Sequence, residues 1–569
     1  MDTGSGGTGG GTGGSTTPPD DLGHAPQFAD VPCSTDLVAF RNGTDGYESL
    51  EQALRDVVDS DVITLCPGTF DESVTTRSSF ALESSAGPEV TSLHGTSTRP
   101  VLEVATGTVE VSGLSFAYGG GLNIDGERFG GAIYVADGAG LVFRSSRAID
   151  NTADFGGAIY LGASGTLDLA DAVLEHNEAF TDGGAVFAVG ATTVRGTHLW
   201  SNTSARSGGG LYADWDSTID ITDSHFAENS SHSGGGIYAE HTVTLTASTL
   251  TANVAEGHGG GIDATVLNMT DSTLSSNTSE DSGGGLRVDT LDARNCIISD
   301  NSARSGGGVH AMTAALDATS VSGNSATTTG AGVHFHGTMS LVDSEVISNT
   351  SGTDGGGLHA TFAHELTLTR SSIENNHAAQ GGGLHLTALG WGAGEMSCDT
   401  TSVIRGNAAD QGSAEQRGGG MHAYGLIVSG CSFQDNSADQ GGGLWFTGEL
   451  SDVDLTGNAA TTEGGALFIS GSTGSKLTRT TILNNTAGIG ASALKDWGDG
   501  AEMVSSTVTG NTSPDGVVME LDVYDDDYTL TVHDTQFDNG SLIRLSAWDR
   551  QDIDTPVPGP TFTCTPTGC

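Results

Sequence analysis

Between Phe226 and Ala239 the chain reads FAENSSHSGGGIYA, and between Leu250 and Ala264 it reads LTANVAEGHGGGIDA. Each stretch places an asparagine three positions after an apolar residue. A few small or polar residues follow, then a run of glycines, then an aliphatic residue that opens an alternating segment. The unit recurs along most of the chain, with its asparagine at Asn151, Asn177, Asn202, Asn229, Asn253, Asn277, Asn301, Asn324, Asn349, Asn376, Asn407, Asn436, Asn458, Asn485, Asn511 and Asn539. From first to last, the fifteen steps average about 26 residues.

That period is too short for paired-helix repeats, lacks leucine-rich spacing, and contains β-branched dipeptides bounded by glycine. It fits a coil of short strands: an all-β, single-stranded right-handed parallel β-helix, a solenoid of about seventeen coils. Asparagine tolerates left-handed torsions and bonds within its own turn, so identical turns stacked at strand spacing predict a continuous amide ladder. The glycines serve corners where successive coils approach within about 4.8 Å. They recur in every coil with no helix behind them, which excludes a phosphate-binding loop. Past each corner, period-two alternation points Leu211, Ile237 and Leu358 inward and Tyr212, Tyr238 and His359 outward. The residues three before the asparagines, among them Phe226, Leu250, Leu274, Ile298, Ile373, Phe433 and Ile482, predict a second inward stack.

The 569 residues carry 20 Lys plus Arg against 71 Asp plus Glu, a net charge of -51. A polyanion repels nucleic acid and anionic membrane surfaces, so neither is an expected partner. No cofactor is called for beyond a weakly held divalent cation. No apolar run is long enough to span a membrane, and no secretory leader follows Met1.

Residues 1–27 read as a flexible Gly/Ser/Thr tether, residues 28–99 as a cap with the first coils, 100–545 as the β-helix, and 546–569 as a Pro/Thr tail. Similar tethers follow the lipid-bearing cysteine of bacterial lipoproteins, which points to an anchor upstream of Met1; a joined linker is the other reading. Leu50, Leu54, Val57 and Val58 share one face of a helix expected to seal the first coil, with Cys33 and Cys66 pinning it. Cys564 and Cys569 are candidates for a second link at the far end, where Pro556, Pro558, Pro560 and Pro566 are expected to end strand pairing. Cys296 and Cys431 each lie five residues before a repeat asparagine, where Ser224 stands in another coil, and read as buried thiols. Terminal disulfides imply an oxidising compartment, an extracellular or outer-membrane surface location.

The repeat resembles that of the polymorphic outer-membrane protein family, built on paired GGA[ILV] and FxxN motifs, within the wider group of pectate-lyase-like β-helices. The first motif stands as Gly130-Gly131-Ala132-Ile133, Gly156-Gly157-Ala158-Ile159, Gly183-Gly184-Ala185-Val186 and Gly464-Gly465-Ala466-Leu467; the second as Phe226-Ala227-Glu228-Asn229 and Phe433-Gln434-Asp435-Asn436. The resemblance covers roughly residues 100 to 545 and implies a surface-displayed protein acting in adhesion or partner contact. The family's translocating barrel does not follow in this sequence, so lipid tethering or plain secretion is expected in place of self-transport.

No Ser or Cys nucleophile motif or zinc-ligand pair is present, so no catalytic residue is assigned. A uronate lyase would need clustered carboxylates and a basic residue; Asp214, Glu240, Asp289 and Arg287 come nearest. The candidate binding site is the position after each glycine-strand aliphatic: Tyr134, Tyr160, Phe187, Tyr212, Tyr238, Asp263, Arg287, His310, His334, His359, His385, His422, Trp445 and Phe468. Like rings stack in β-helices for packing alone. As a binding strip, the aromatic part suits sugar faces, and His334, His359 and His385 are candidate transition-metal ligands, with His336 and His364 beside them. A glycan or cell-surface partner is thus expected; polysaccharide cleavage and a coat or spacer role are the alternatives. Oligomeric state is not readable from the sequence.

Overall fold

The computed structural model describes residues 31–361, 365–387, 394–412, 416–471, 474–498, 500–523, 529–547, 553–556 and 562–564. The tether, His364 and Cys569 lie outside the described residues. The chain is a right-handed parallel β-helix of about eighteen turns, with almost no helix.

One coil illustrates all. Leu211–Ala213 leaves the Gly208–Gly210 corner, and Ile219–Thr222 continues along the same broad sheet. After a turn, His225–Ala227 belongs to a second sheet, and beyond Asn229 the two-residue strand Ser230–Ser231 belongs to a third. Each of these strands pairs in parallel with its counterpart one coil away, so Phe226 stands opposite Leu199 and Leu250. The apolar residues three before the asparagines are fully buried, forming one face of a thin central column.

The asparagine ladder runs unbroken from Asn151 to Asn511. The side-chain amide of Asn277, for example, donates to Oδ1 of Asn301 at 3.0 Å and to the Leu250 carbonyl at 3.0 Å, while its backbone N–H also donates to Asn301 Oδ1. Asn539 does not join: it is exposed, and the last asparagine-to-asparagine bond is that of Asn485 to Asn511. A hydroxyl ladder runs through the preceding turn, Ser224 N donating to Ser248 Oγ and Ser248 N to Ser272 Oγ. Cys296 occupies one rung as a buried free thiol.

Cys431 occupies another and departs from expectation: it is disulfide-bonded to Cys398 of the preceding coil. Cys33 and Cys66 are joined at the front. The cap helix is shorter than the apolar pattern predicts, Leu50–Arg55, with Ser49 as its N-cap; Leu50 and Ala53 are buried, whereas Val58 is 59% exposed.

Both ends close with antiparallel strands. At the front, Ala39–Arg41 pairs antiparallel with Val62–Leu65. At the rear, Ile553–Pro556 pairs antiparallel with Leu542–Ala547, and Phe562–Cys564 with Thr529–His533. The proline-rich tail was expected to stop pairing. Its described parts instead pair in the antiparallel sense, Pro556 being the last residue of its strand, while Pro558, Pro560 and Pro566 lie outside the described residues. No helix among the described residues is long and apolar enough to cross a membrane.

Candidate functional site

The ladder read from the sequence is in register throughout, each rung pairing with the next from Tyr134 to Phe468. It is also longer than the glycine signature reveals. Glu103 precedes Tyr134, and Lys495, Glu520 and Arg544 follow Phe468.

The ladder lies in a corner rather than on a plain outer face. The first glycine of each run has positive φ, +59° at Gly355, and turns the chain so sharply that a Cβ there would lie 2.2 Å from the Leu358 carbonyl oxygen and 2.9 Å from the Cβ of His359. The residue just before that glycine therefore forms a rim beside the ladder. Thr329, Asp354, Gln380, Arg417 and Gln440 bridge one another coil by coil along it.

In the first five rungs the rings are half-buried and stacked. Tyr134 and Tyr160 lie 5.4 Å apart with planes 2° from parallel, and Phe187, Tyr212 and Tyr238 continue at 4.6 to 5.4 Å. Ring faces thus cover one another, and the strip presents ring edges and phenol hydroxyls. This corrects the expectation of free faces for sugars. The Tyr212 hydroxyl donates to Glu240 at 2.8 Å, and burial, followed by the neighbouring Tyr134 phenol and then the Asp137 and Asp214 carboxylates, raises the Tyr160 phenol to about 12. Asp263 is buried and held by Arg287 at 3.1 Å, so the basic residue nearest to a lyase's requirement is committed to an ion pair.

From His334 onward the ladder is not outward-facing. His334, His359, His385, His422 and Trp445 are 8, 5, 8, 2 and 2% exposed. Alternation correctly told which side of the strand they occupy, but the rim covers that side. Arg417 of the rim lies over the Trp445 ring at 5.1 Å. Burial first, then neighbouring imidazoles, lowers His310 to about 4, His334 to about 2 and His359 to about 3, and holds His422 well below its usual range. The rings of His310, His334, His359 and His422 are therefore neutral at physiological pH.

Neutral imidazoles can bond to one another. His359 Nδ1 and His334 Nε2 are 3.3 Å apart, as are His422 Nδ1 and His385 Nε2, while His334 Nδ1 contacts the Ser305 and Thr329 hydroxyls at 2.5 and 3.2 Å. The expected trio of His334, His359 and His385 occupies consecutive rungs, with centroids 4.6 and 5.3 Å apart. Their donor atoms nevertheless divide. His334 groups with His310 and His336, whereas His359 and His385 group with Asp354, the donors within each group lying within 4.8 Å of one another. Asp354 sits on the rim five residues before its histidine, an offset that alternation within one strand does not disclose.

At the rear, Lys495 and Glu520 are buried and bonded at 2.8 Å, with Asp522 also accepting from Lys495 at 2.8 Å. Cys564 pairs through its backbone with Leu530.

No curated protein matches the chain. Residues 105–266 match a family described as "Right handed beta helix region", and with the coil topology this places the architecture among the right-handed parallel β-helices of the pectate-lyase-like kind.

Proposed function

We propose that the protein is an exported, non-catalytic β-helix that binds an extended, uncharged glycan along the aromatic part of its groove. The observation that carries this reading is the half-buried, stacked strip from Tyr134 to Tyr238. The carboxylates of Asp137, Asp214 and Glu240 lie near enough to act on the phenols of Tyr134, Tyr160 and Tyr212, and Glu240 accepts from the Tyr212 hydroxyl. Carboxylates and phenols on successive coils offer hydrogen-bond partners to sugar hydroxyls at each strand spacing, about 4.8 Å. The net charge of -51 favours neutral over anionic polymers. Two disulfides support an oxidising, extracellular location.

A glycan array of neutral and uronate-rich polymers tests it. Binding to neutral polymers, reduced at least tenfold in Tyr212→Ala/Tyr238→Ala and in Glu240→Gln without release of reducing ends, is the expected result. Binding unaffected by these changes, or cleavage of the polymer, would overturn the reading.

A further inference from the structure

We propose that Asp354, His359 and His385 form a binding site for a divalent transition-metal ion such as Zn²⁺, independent of any glycan site. Their ligand atoms come from adjacent coils and lie within 4.8 Å of one another. A tetrahedral ion with bonds of about 2.0 to 2.2 Å needs donors roughly 3.4 Å apart, so ring and carboxylate shifts of about 1 Å complete the set.

Three features single out this group. First, His385 Nδ1 is buried and lacks a hydrogen bond although Oδ1 of Asp354 is only 3.3 Å away. In the tautomer whose Nε2–H donates to His422, the Nδ1 lone pair of His385 faces the Asp354 carboxylate, and a cation between them satisfies both. Second, each imidazole already has its other nitrogen engaged: His359 Nδ1 with His334 Nε2, and His385 Nε2 with His422 Nδ1. Metal-ligating histidines are oriented by such partners, which fix tautomer and ring direction. Third, Asp354 supplies the anionic ligand that an all-imidazole set lacks, and its side chain keeps 29% exposure, leaving an entry path.

The neighbouring His310, His334 and His336 do not match this. Both ring nitrogens of His334 are already occupied, one by Ser305 and Thr329 and the other by His359. His334 therefore orients His359. Two imidazoles and one carboxylate suit borderline ions (Zn²⁺, Co²⁺, Ni²⁺) better than Ca²⁺ or Mg²⁺, which take oxygen ligands.

The test is calorimetric titration of ZnCl₂ into the chelator-treated full chain at pH 7.5, with Co²⁺ absorption as a report on ligand geometry. One tight site is expected, with Asp354→Asn and His385→Gln each weakening it at least tenfold and His336→Ala leaving it unchanged. Absence of binding, or equal binding in Asp354→Asn, overturns the site, as does loss of binding in His336→Ala alone. Thermal melting in chelator shows whether a variant is folded. Should His385→Gln unfold, Asp354→Asn and the wild-type Co²⁺ spectrum decide: a spectrum of octahedral aquo ion overturns the proposal.

Discussion

Nζ of Lys495 donates to the carboxylate of Glu520 at 2.8 Å with both side chains buried, so the stack of rings in the groove ends in an ion pair. Burial alone would lower the Lys495 ammonium, but the bonds to Asp522 and Glu520 raise it, so it stays charged. Removing one partner of such a pair strands the other. Lys495→Met is expected to cost about 3 to 5 kcal/mol, and Lys495→Met/Glu520→Leu to recover most of it. Because coils couple chiefly to neighbours, the loss should appear as faster hydrogen exchange over residues 490–545 only.

The asparagine ladder predicts a sharp contrast. Asn301→Ala removes the acceptor of the Asn277 backbone and side-chain amides and leaves the Leu274 carbonyl without its side-chain donor. With about 1 to 3 kcal/mol per buried group left unsatisfied, a loss above about 3 kcal/mol is expected in denaturant unfolding. Asn539→Ala, at an exposed asparagine outside the ladder, should stay within about 0.5 kcal/mol.

The buried histidines set a pH dependence. His334 and His359 remain neutral in the fold down to about 2 and 3, whereas in the unfolded chain they take up protons below about 6.5. The unfolded state binds more protons in that interval, so stability rises with pH across it and is lost as pH falls. At pH 5 each contributes a loss on the order of 2 kcal/mol. Melting in chelator should be flat from pH 8 to 7 and decline steeply below 6, with His334→Phe/His359→Phe flattening the decline; an unchanged slope in that variant would exclude these two rings as its source.

The cysteines should separate by chemistry. Burial pushes the Cys296 thiol up, so it should resist alkylation in the native state and react after unfolding. Cys398→Ser/Cys431→Ser opens a loop of 33 residues between adjacent coils and is expected to cost about 2 to 4 kcal/mol, read as local exchange near residues 394–431.

The spacing of asparagine and glycine suffices to derive the coil, because each residue type meets a local torsional demand that recurs. The ladder from Tyr134 to Phe468 was legible for the same reason, being a fixed offset from a recognisable corner. Its burial was not, since the covering residues, Asp354 and Arg417 among them, stand on the far side of that corner, where nothing local marks how closely the chain folds back. The rungs Lys495, Glu520 and Arg544 escaped because the stretches before them, Gly490-Ala491-Ser492-Ala493-Leu494, Gly516-Val517-Val518-Met519 and Gly540-Ser541-Leu542-Ile543, have lost the repeated glycines. The bond between Cys398 and Cys431 escaped because sequence shows the rung of Cys431 but not that the irregular coil beneath brings Cys398 alongside.

The antiparallel strands at both ends have a consequence beyond shielding. A stack of parallel coils has no intrinsic stopping point, and an open end would template further growth or joining of molecules end to end. Reversing strand direction at each terminus makes the rod finite, so about eighteen turns at about 4.8 Å give a fixed span of roughly 85 Å. Each rung of the groove then sits at a set distance from either capping strand, like a graduation on a ruler that shifts only by whole-coil insertion or deletion.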